Sequence, residues 1–359
     1  MVPRVKVIGA GSIGNHLAHG CRSLGMEVTI VDLSPEALTR TREVIYPSRY
    51  GAWDTEIRLA SPPEVEGESF DVVIVGTPPA THLAIATAEI NSTTPPVVLL
   101  IEKPLAHPDA DAVQHFVESA HRSSTRVLVG YNQRLKANTV AFLDAVAHLD
   151  LGTLTGLHSH MLESWDGILT AHFWMASEKD SYLAFTDQGG GALLEHSHAL
   201  NLFLYLAGAL GQGRVTEVTA DMDWVSHDTG RYDRDTTLHL TLESGLIGEV
   251  RQDLHTWPAR KEAVAVFDHG SLVWNMGGDA DTVTHLDAAG KEVTTWNFPK
   301  TRPDDFIGEI RHLQDLLADP AEPSPLDLNE GLAVMDVIFA ALESSSTGLS
   351  VPLTAPHGA

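Results

Sequence analysis

Two imidazoles and a carboxylate follow three glycines in Gly189-Gly190-Gly191-Ala192-Leu193-Leu194-Glu195-His196-Ser197-His198-Ala199-Leu200-Asn201. Glycines ahead of a helix let a ligand come close to the backbone, and the side chains supply proton-transfer groups. Taken singly, a helical histidine is more often a surface or core residue. A second constellation is Gly9-Ala10-Gly11-Ser12-Ile13-Gly14, a G-x-G-x-x-G between a strand pattern and a helix pattern. The first glycine permits a tight turn, the second lets a pyrophosphate approach the backbone, and the third lets the helix pack on the strand. The helix N-terminus stabilises the anion. In that setting the fingerprint reads as a dinucleotide site in preference to a purely structural turn.

Asp32 ends the second strand pattern, where a carboxylate accepts hydrogen bonds from the adenosine ribose hydroxyls and repels a 2′-phosphate. The helix-cap role falls better to Ser34, and Leu33, Ser34 and Pro35 bring no cation. NAD is therefore the expected cofactor, with NADP possible. Glu102-Lys103-Pro104 ends the fourth clear strand pattern, and ligands of open α/β sheets bind beyond the carboxyl ends of strands. Lys103 is either a cationic donor within reach of nicotinamide and substrate or a surface lysine before a turn proline. Position alone leaves both open.

Other groups carry weaker signals. His158 and His160 alternate along a strand pattern and share a face, but with His196 and His198 they match no recognised zinc spacing, so no metal site is expected. Trp165, Asp166, His172, Trp174 and Tyr182 form an aromatic, polar stretch suited either to a sugar pocket or to core packing. The single cysteine, Cys21, lies on the first helix pattern and reads as a small buried apolar residue.

The elements that must position these residues follow two grammars. Val5–Ile8, Val28–Val31, Val72–Val75, Val97–Ile101 and Val127–Val129 are near-continuous runs of Val, Ile and Leu, as strands buried on both faces require. Ser12–Leu24, Pro35–Glu43, Ala80–Ile90 and Ala110–Arg122 read as helices between them, with Ser34 and Pro35 marking one helix start. This is an α/β pattern, a doubly wound parallel sheet. From about residue 130 the pattern changes to a helix around Leu135–Leu149, a long strand at Thr153–Glu163, and successive hairpins. The hairpins pair Asp235–Leu242 with Leu246–Leu254, Ala263–Phe267 with Ser271–Asn275, and Thr282–Leu286 with Glu292–Phe298. Two helices close the chain around a proline-stiffened linker at Asp319–Pro325. The expected division is a dinucleotide-binding domain over 1–128 and an α+β domain over 129–359 with an open, mostly antiparallel sheet for substrate and oligomerisation. The closing helices are free to pack back on the first domain.

Length and charge bound the function. A chain of 359 residues fits two ordinary domains, and 43% hydrophobic content rules out global disorder. Lys and Arg number 23 against 48 Asp and Glu, and a net charge of −25 argues against nucleic acid or anionic membrane as partner. One cysteine excludes an intramolecular disulfide framework. No apolar run reaches the roughly 18 residues of a membrane span, and the first residues run into a strand pattern instead of a signal peptide. The expectation is a soluble cytoplasmic protein.

Taken together, the motifs resemble a family. The glycine fingerprint, Gly76-Thr77-Pro78-Pro79-Ala80-Thr81-His82, Glu102-Lys103-Pro104, Val129-Gly130-Tyr131-Asn132-Gln133-Arg134 and the Gly-Gly-Gly…Ser-His segment occur in the order typical of the Gfo/Idh/MocA oxidoreductases. The end of the closing helix, with Ser344, Ser345, Thr347 and Gly348, is similar too. The resemblance implies an N-terminal Rossmann domain and NAD(P)-dependent hydride transfer on a carbohydrate, sugar derivative or cyclitol. It also implies a homodimer or homotetramer built through the outer face of the C-terminal sheet. Carried over residue by residue, it assigns the cofactor to Gly9, Gly11, Ser12, Ile13, Gly14, Asp32, Thr77, Pro78, His82, Glu102 and Lys103. The substrate falls to Lys103, Asn132, Arg134 and His198, joined by Tyr182 from the aromatic stretch. Lys103 and His198 inherit catalytic roles, with Glu195 orienting or electrostatically supporting the histidine. Two departures stand out. Leu194 occupies the place where many members carry an aspartate, and Glu195 and Asn201 replace both aspartates of a subgroup pattern, Asp-x-Ser-His-x-x-Asp. The same fold also hosts NAD-dependent glycosidases with no net redox change, and cofactor-binding proteins without catalysis.

Overall fold

The computed structural model describes residues 2–171 and 175–353. It resolves two compact units, the first comprising residues up to Asn132 with Arg302–Leu328, the second Gln133–Thr301 with the chain from Asn329 onward.

In the first unit the β-branched runs become β1 (Arg4–Ile8), β2 (Glu27–Val31), β3 (Arg58–Ala60), β4 (Val72–Val75), β5 (Val98–Ile101) and β6 (Arg126–Val129). All pair in parallel in the order β3-β2-β1-β4-β5-β6, the doubly wound arrangement expected. Every residue of β4 and β5 is buried, which is why these strands show no polar alternation. Helices Ser12–Ser23, Pro79–Ile90 and Ala110–Arg122 lie where the sequence places them, to within a residue. The Ser34 hydroxyl accepts from the Ala37 N–H at 3.1 Å, so the cap holds as read. The helix it starts ends at Arg40, short of the expected Glu43, because the chain widens into a π-turn over Thr41–Ile45. There the Thr41 hydroxyl donates to the Ala10 carbonyl at 2.5 Å, tying the turn to the glycine loop. The three-residue β3 was not expected, being too short for a periodic signal. Helix Arg302–Ala318 completes the unit and buries Phe306, Ile310, Leu313 and Leu316.

The second unit is built on one nine-stranded sheet: β7 (Leu154–Leu162), β8 (Val215–His227), β9 (Gly230–Leu242), β10 (Ile247–Asp253), β11 (Arg260–Phe267), β12 (Gly270–Met276), β13 (Ala280–Asp287), β14 (Glu292–Pro299) and β15 (Val351–Pro352). The order is β14-β13-β12-β11-β7-β10-β9-β8-β15. Only β7 and β10 run parallel, so the sheet is open and mostly antiparallel, as expected. The three expected hairpins form, and β8 and β15 are additions. On β7, Leu157, Ser159 and Met161 point into the core while His158 and His160 share the other, half-buried face. Helix His198–Ala209 packs on the buried face through Leu202, Phe203 and Leu206. Among the described residues no helix is long and apolar enough to cross a membrane.

Candidate active site

In the first unit the glycine fingerprint forms a tight turn between β1 and helix Ser12–Ser23. Gly9 has φ +110°, and a Cβ there would stand 2.6 Å from the Gly76 carbonyl oxygen. A Cβ on Gly14 would run into the Gly9 carbonyl, so the helix can approach the strand only with glycine at that place. Gly11 differs: a Cβ there would meet nothing within 4 Å, so open space lies in front of the first helical turn. No side chain caps that helix, which leaves its leading N–H groups for an anion. The Ser12 hydroxyl accepts from Arg49 at 2.7 Å, and Ile13 packs on the Gly76 position.

Asp32 is half-buried at the end of β2. One carboxylate oxygen accepts from the Ala10 N–H at 2.8 Å, and the other accepts from the Ser34 N–H at 2.9 Å. The carboxylate thus pins the glycine turn and the turn after β2 together, and each oxygen retains acceptor capacity for a ribose hydroxyl. An open helix N-terminus, a glycine turn and this acceptor are the donor and acceptor set that a dinucleotide requires.

The neighbouring loops hold together through residues whose expected roles were in binding. His82 is fully buried, with Nδ1 3.0 Å from the Pro104 carbonyl and Nε2 2.7 Å from the Thr77 carbonyl. Burial pushes its pKa down to about 4, against the carbonyls that favour the charged ring. It braces the Thr77 loop against the Lys103 loop from below. Thr77 is half-buried and Pro78 exposed at the surface of that loop. Glu102 is buried, takes the Lys103 N–H on one oxygen at 3.2 Å, and lies so close to Gly130 that a Cβ there would stand 3.2 Å from it. Lys103 is half-buried, and the peptide between it and Pro104 is cis. Asn132 lies beside Glu309, a buried carboxyl whose pKa stands well above the carboxylate range through burial and the charge of Glu102, eased by Asn132.

In the second unit the glycine run leads into helix Ala192–Glu195 and then, after His196 and Ser197, into helix His198–Ala209. Glu195 and His198 are half-buried, whereas His196 and Ser197 are buried. The Tyr182 hydroxyl donates to a Glu195 carboxylate oxygen at 3.1 Å, which brings together two residues singled out separately. The glycines serve a different purpose from the one expected. A Cβ on Gly190 would collide with the Tyr182 and Leu183 carbonyls, and one on Gly191 (φ +89°) with the Asp233 carboxylate. The atoms that approach this backbone closely are the protein's own.

Arg134, expected at the substrate, is 2% exposed. Its guanidinium donates to the Asn201 side-chain oxygen at 2.7 Å, the Asn201 carbonyl at 3.3 Å and Glu330 at 2.6 Å, and lies 4.7 Å from the Tyr205 ring centre. Arginine and Asn201 together lock helix His198–Ala209 in place. Trp165 packs into a core cluster with Leu183, Ala184, Ala192, Tyr232 and Leu254, while Asp166 is exposed. His172 and Trp174 lie outside the described residues. Cys21 is fully buried, and burial pushes its thiol pKa up. His160 sits between Glu249 at 3.3 Å and Glu262 at 3.4 Å. Among the described residues the ligand atoms of Asp235, Asp253 and His255 converge within 4.8 Å, but Arg251 pairs with Asp235 at 3.1 Å, and the group is an ion-pair network.

Residues 3–131 match a family model described as an oxidoreductase family with an NAD-binding Rossmann fold, and residues 141–273 match the Gfo/Idh/MocA C-terminal domain. The chain belongs to the Gfo/Idh/MocA oxidoreductase family. A search of curated proteins found no match. Among solved structures, levoglucosan dehydrogenase in complex with NADH and levoglucosan superposes with a TM-score of 0.77 at 18% identity, over 98% of this chain and 99% of that one. GenD2 from gentamicin A biosynthesis, in complex with NAD, gives 0.76 at 20% identity over 99% and 97%. The WlbA dehydrogenase from Bordetella pertussis, with NADH and UDP-GlcNAcA, gives 0.72 at 19% identity over 99% and 100%. At these identities the likeness is one of Gfo/Idh/MocA fold.

Proposed function

We propose that this Gfo/Idh/MocA protein is an NAD-dependent oxidoreductase that interconverts an alcohol and a ketone on a carbohydrate, sugar derivative or cyclitol. The observation that carries the reading is the Asp32 carboxylate, pinned to the glycine turn beside an open helix N-terminus. A carboxylate there accepts from a free 2′-hydroxyl and repels a 2′-phosphate, which favours NAD over NADP. When bound, the nicotinamide takes up or releases hydride at its C4. In the oxidative direction His198 takes the substrate hydroxyl proton. Lys103 donates a hydrogen bond to the same oxygen and offsets the negative charge that develops as the proton leaves. Glu195, held by Tyr182, supports the imidazolium.

The test is an NADH-absorbance screen across free sugars, nucleotide sugars, sugar phosphates and inositols, followed by His198→Ala and Lys103→Ala. Each variant should lose about a hundredfold or more in kcat while its NAD Kd stays unchanged. Turnover near the wild-type value in both would refute the assignment. Hydrolysis of an aryl glycoside without NADH accumulation would move the reaction to the glycosidase chemistry that the fold also hosts.

A further inference from the structure

Strand β9 contains one irregularity with a chemical result. Its inward-facing residues alternate as Leu242, Leu240, Leu238 and Thr236, all buried, so Arg234 should be next. Instead the register against β8 slips: Asp223 faces Asp235, and Trp224 faces Asp233, which leaves Arg234 as the extra residue. This bulge reverses the phase of the strand, turns Arg234 out to solvent and aims Asp233 inward, where it is 0% exposed.

A carboxylate is costly inside a protein, and burial pushes this one up to about 7. Its side-chain and helix donors gather on one oxygen, while the other, Oδ1, is packed against Gly191. One oxygen accepts from the Leu193 N–H at 2.7 Å and from the Thr236 hydroxyl at 2.7 Å, and the Ala192 N–H contributes as well. Ala192 and Leu193 open the short helix that ends at Glu195, whose leading N–H groups have no partner within their own helix. The carbonyls of the same two residues accept from Gln252 on β10, each at 3.1 Å. Neighbouring strands therefore grip the helix from both sides, one through its donors and one through its acceptors. Gly191 lacks a side chain because the Asp233 carboxylate fills that space.

We propose that Asp233 is a positioning residue for proton transfer: from the bulge of β9 it caps the turn that presents Glu195 and His198, a role resting on the reading that His198 moves the substrate proton. A displacement of about 1 Å in a reacting group costs about a hundredfold in rate, so loosening this cap should act on kcat. Amide hydrogen exchange over 191–198 and steady-state kinetics on Asp233→Ala and Asp233→Asn test it. Asp233→Ala should speed exchange at Leu193 and Glu195 by about tenfold or more, with β12–β14 unchanged. Its kcat should fall about a hundredfold while the KM for NAD holds. Asp233→Asn should recover much of both, since the amide oxygen still accepts from the Leu193 N–H. If Asp233→Ala fails to fold, Thr236→Val, which removes one donor, should give the same changes at smaller size. Unchanged exchange over 191–198, or unchanged kcat in a folded Asp233→Ala, overturns the proposal. No substrate turnover by the wild type, with the local exchange change still seen in Asp233→Ala, upholds the cap and refutes the reaction instead.

Discussion

Replacing Arg134 with Met separates two roles that the sequence leaves together. The substitution keeps most of the aliphatic stem and removes the guanidinium. The Asn201 side-chain oxygen, which accepts from it at 2.7 Å, is then left unsatisfied in a buried setting, at about 1–3 kcal/mol, whereas the Asn201 carbonyl, 3.3 Å away, keeps its partner within the helix. The pair with Glu330 adds little, about 0–1 kcal/mol, because the glutamate side chain is 45% exposed. The stacking on Tyr205 contributes about 1 kcal/mol. The expected loss is about 2–5 kcal/mol, which for a body of roughly 200 residues lowers Tm by about 10 °C. Differential scanning calorimetry measures it, with kinetics on the same sample. A drop in Tm with kcat reduced, through disturbance of the His198 helix, fits the structural role. Stability within about 1 kcal/mol of wild type, together with a raised substrate KM, would refute it and return Arg134 to the substrate.

Two further perturbations bear on the first unit. Asp32→Ala removes the acceptor for two turn N–H groups and should weaken NAD by about 10–100-fold while affecting NADP less, as fluorescence titration would measure. An unchanged NAD-to-NADP ratio would count against the ribose contact. Glu309 binds its proton more tightly folded than unfolded, since burial and then Glu102 raise its pKa, so its contribution to stability is present below about 4.5 and is lost as pH rises toward the folded value. Glu309→Gln lacks that titration. Its urea midpoint relative to wild type should therefore climb as pH rises above about 4.5, and parallel curves would contradict the raised pKa.

The doubly wound sheet was legible because its strands are buried on both faces, and burial of that kind leaves unbroken runs of Val, Ile and Leu such as Val72–Val75 and Val98–Ile101. Asp32 and the fingerprint were legible because residue type and order along the chain carry the signal: glycines between a strand and a helix, and a carboxylate ending the next strand. What stayed hidden depends on distant partners. Arg134 meets Glu330 from 196 positions away, and nothing local marks it as a structural residue. His82 and Asn132 likewise bind carbonyls and a carboxyl that only the fold brings near. Strand β8 escaped notice because its long alternation is mostly polar and half-exposed. The triple glycine was visible, but its cause was not, since the register slip in β9 that aims Asp233 at Gly191 has no signature in composition or period.

The path of the chain has a consequence for synthesis. Residues that begin the first unit wait for helix Arg302–Ala318: Ile310 fills the space beside Gly20, Phe306 stacks on His16 at 4.5 Å, and the Val129 N–H finds its acceptor at Leu326. On a ribosome this unit is started first and interrupted, with nearly 170 residues of the second unit emerging before its hydrophobic groove can be filled. Cutting the gene after Asn132 would therefore yield a sheet with one flank bare, prone to aggregate.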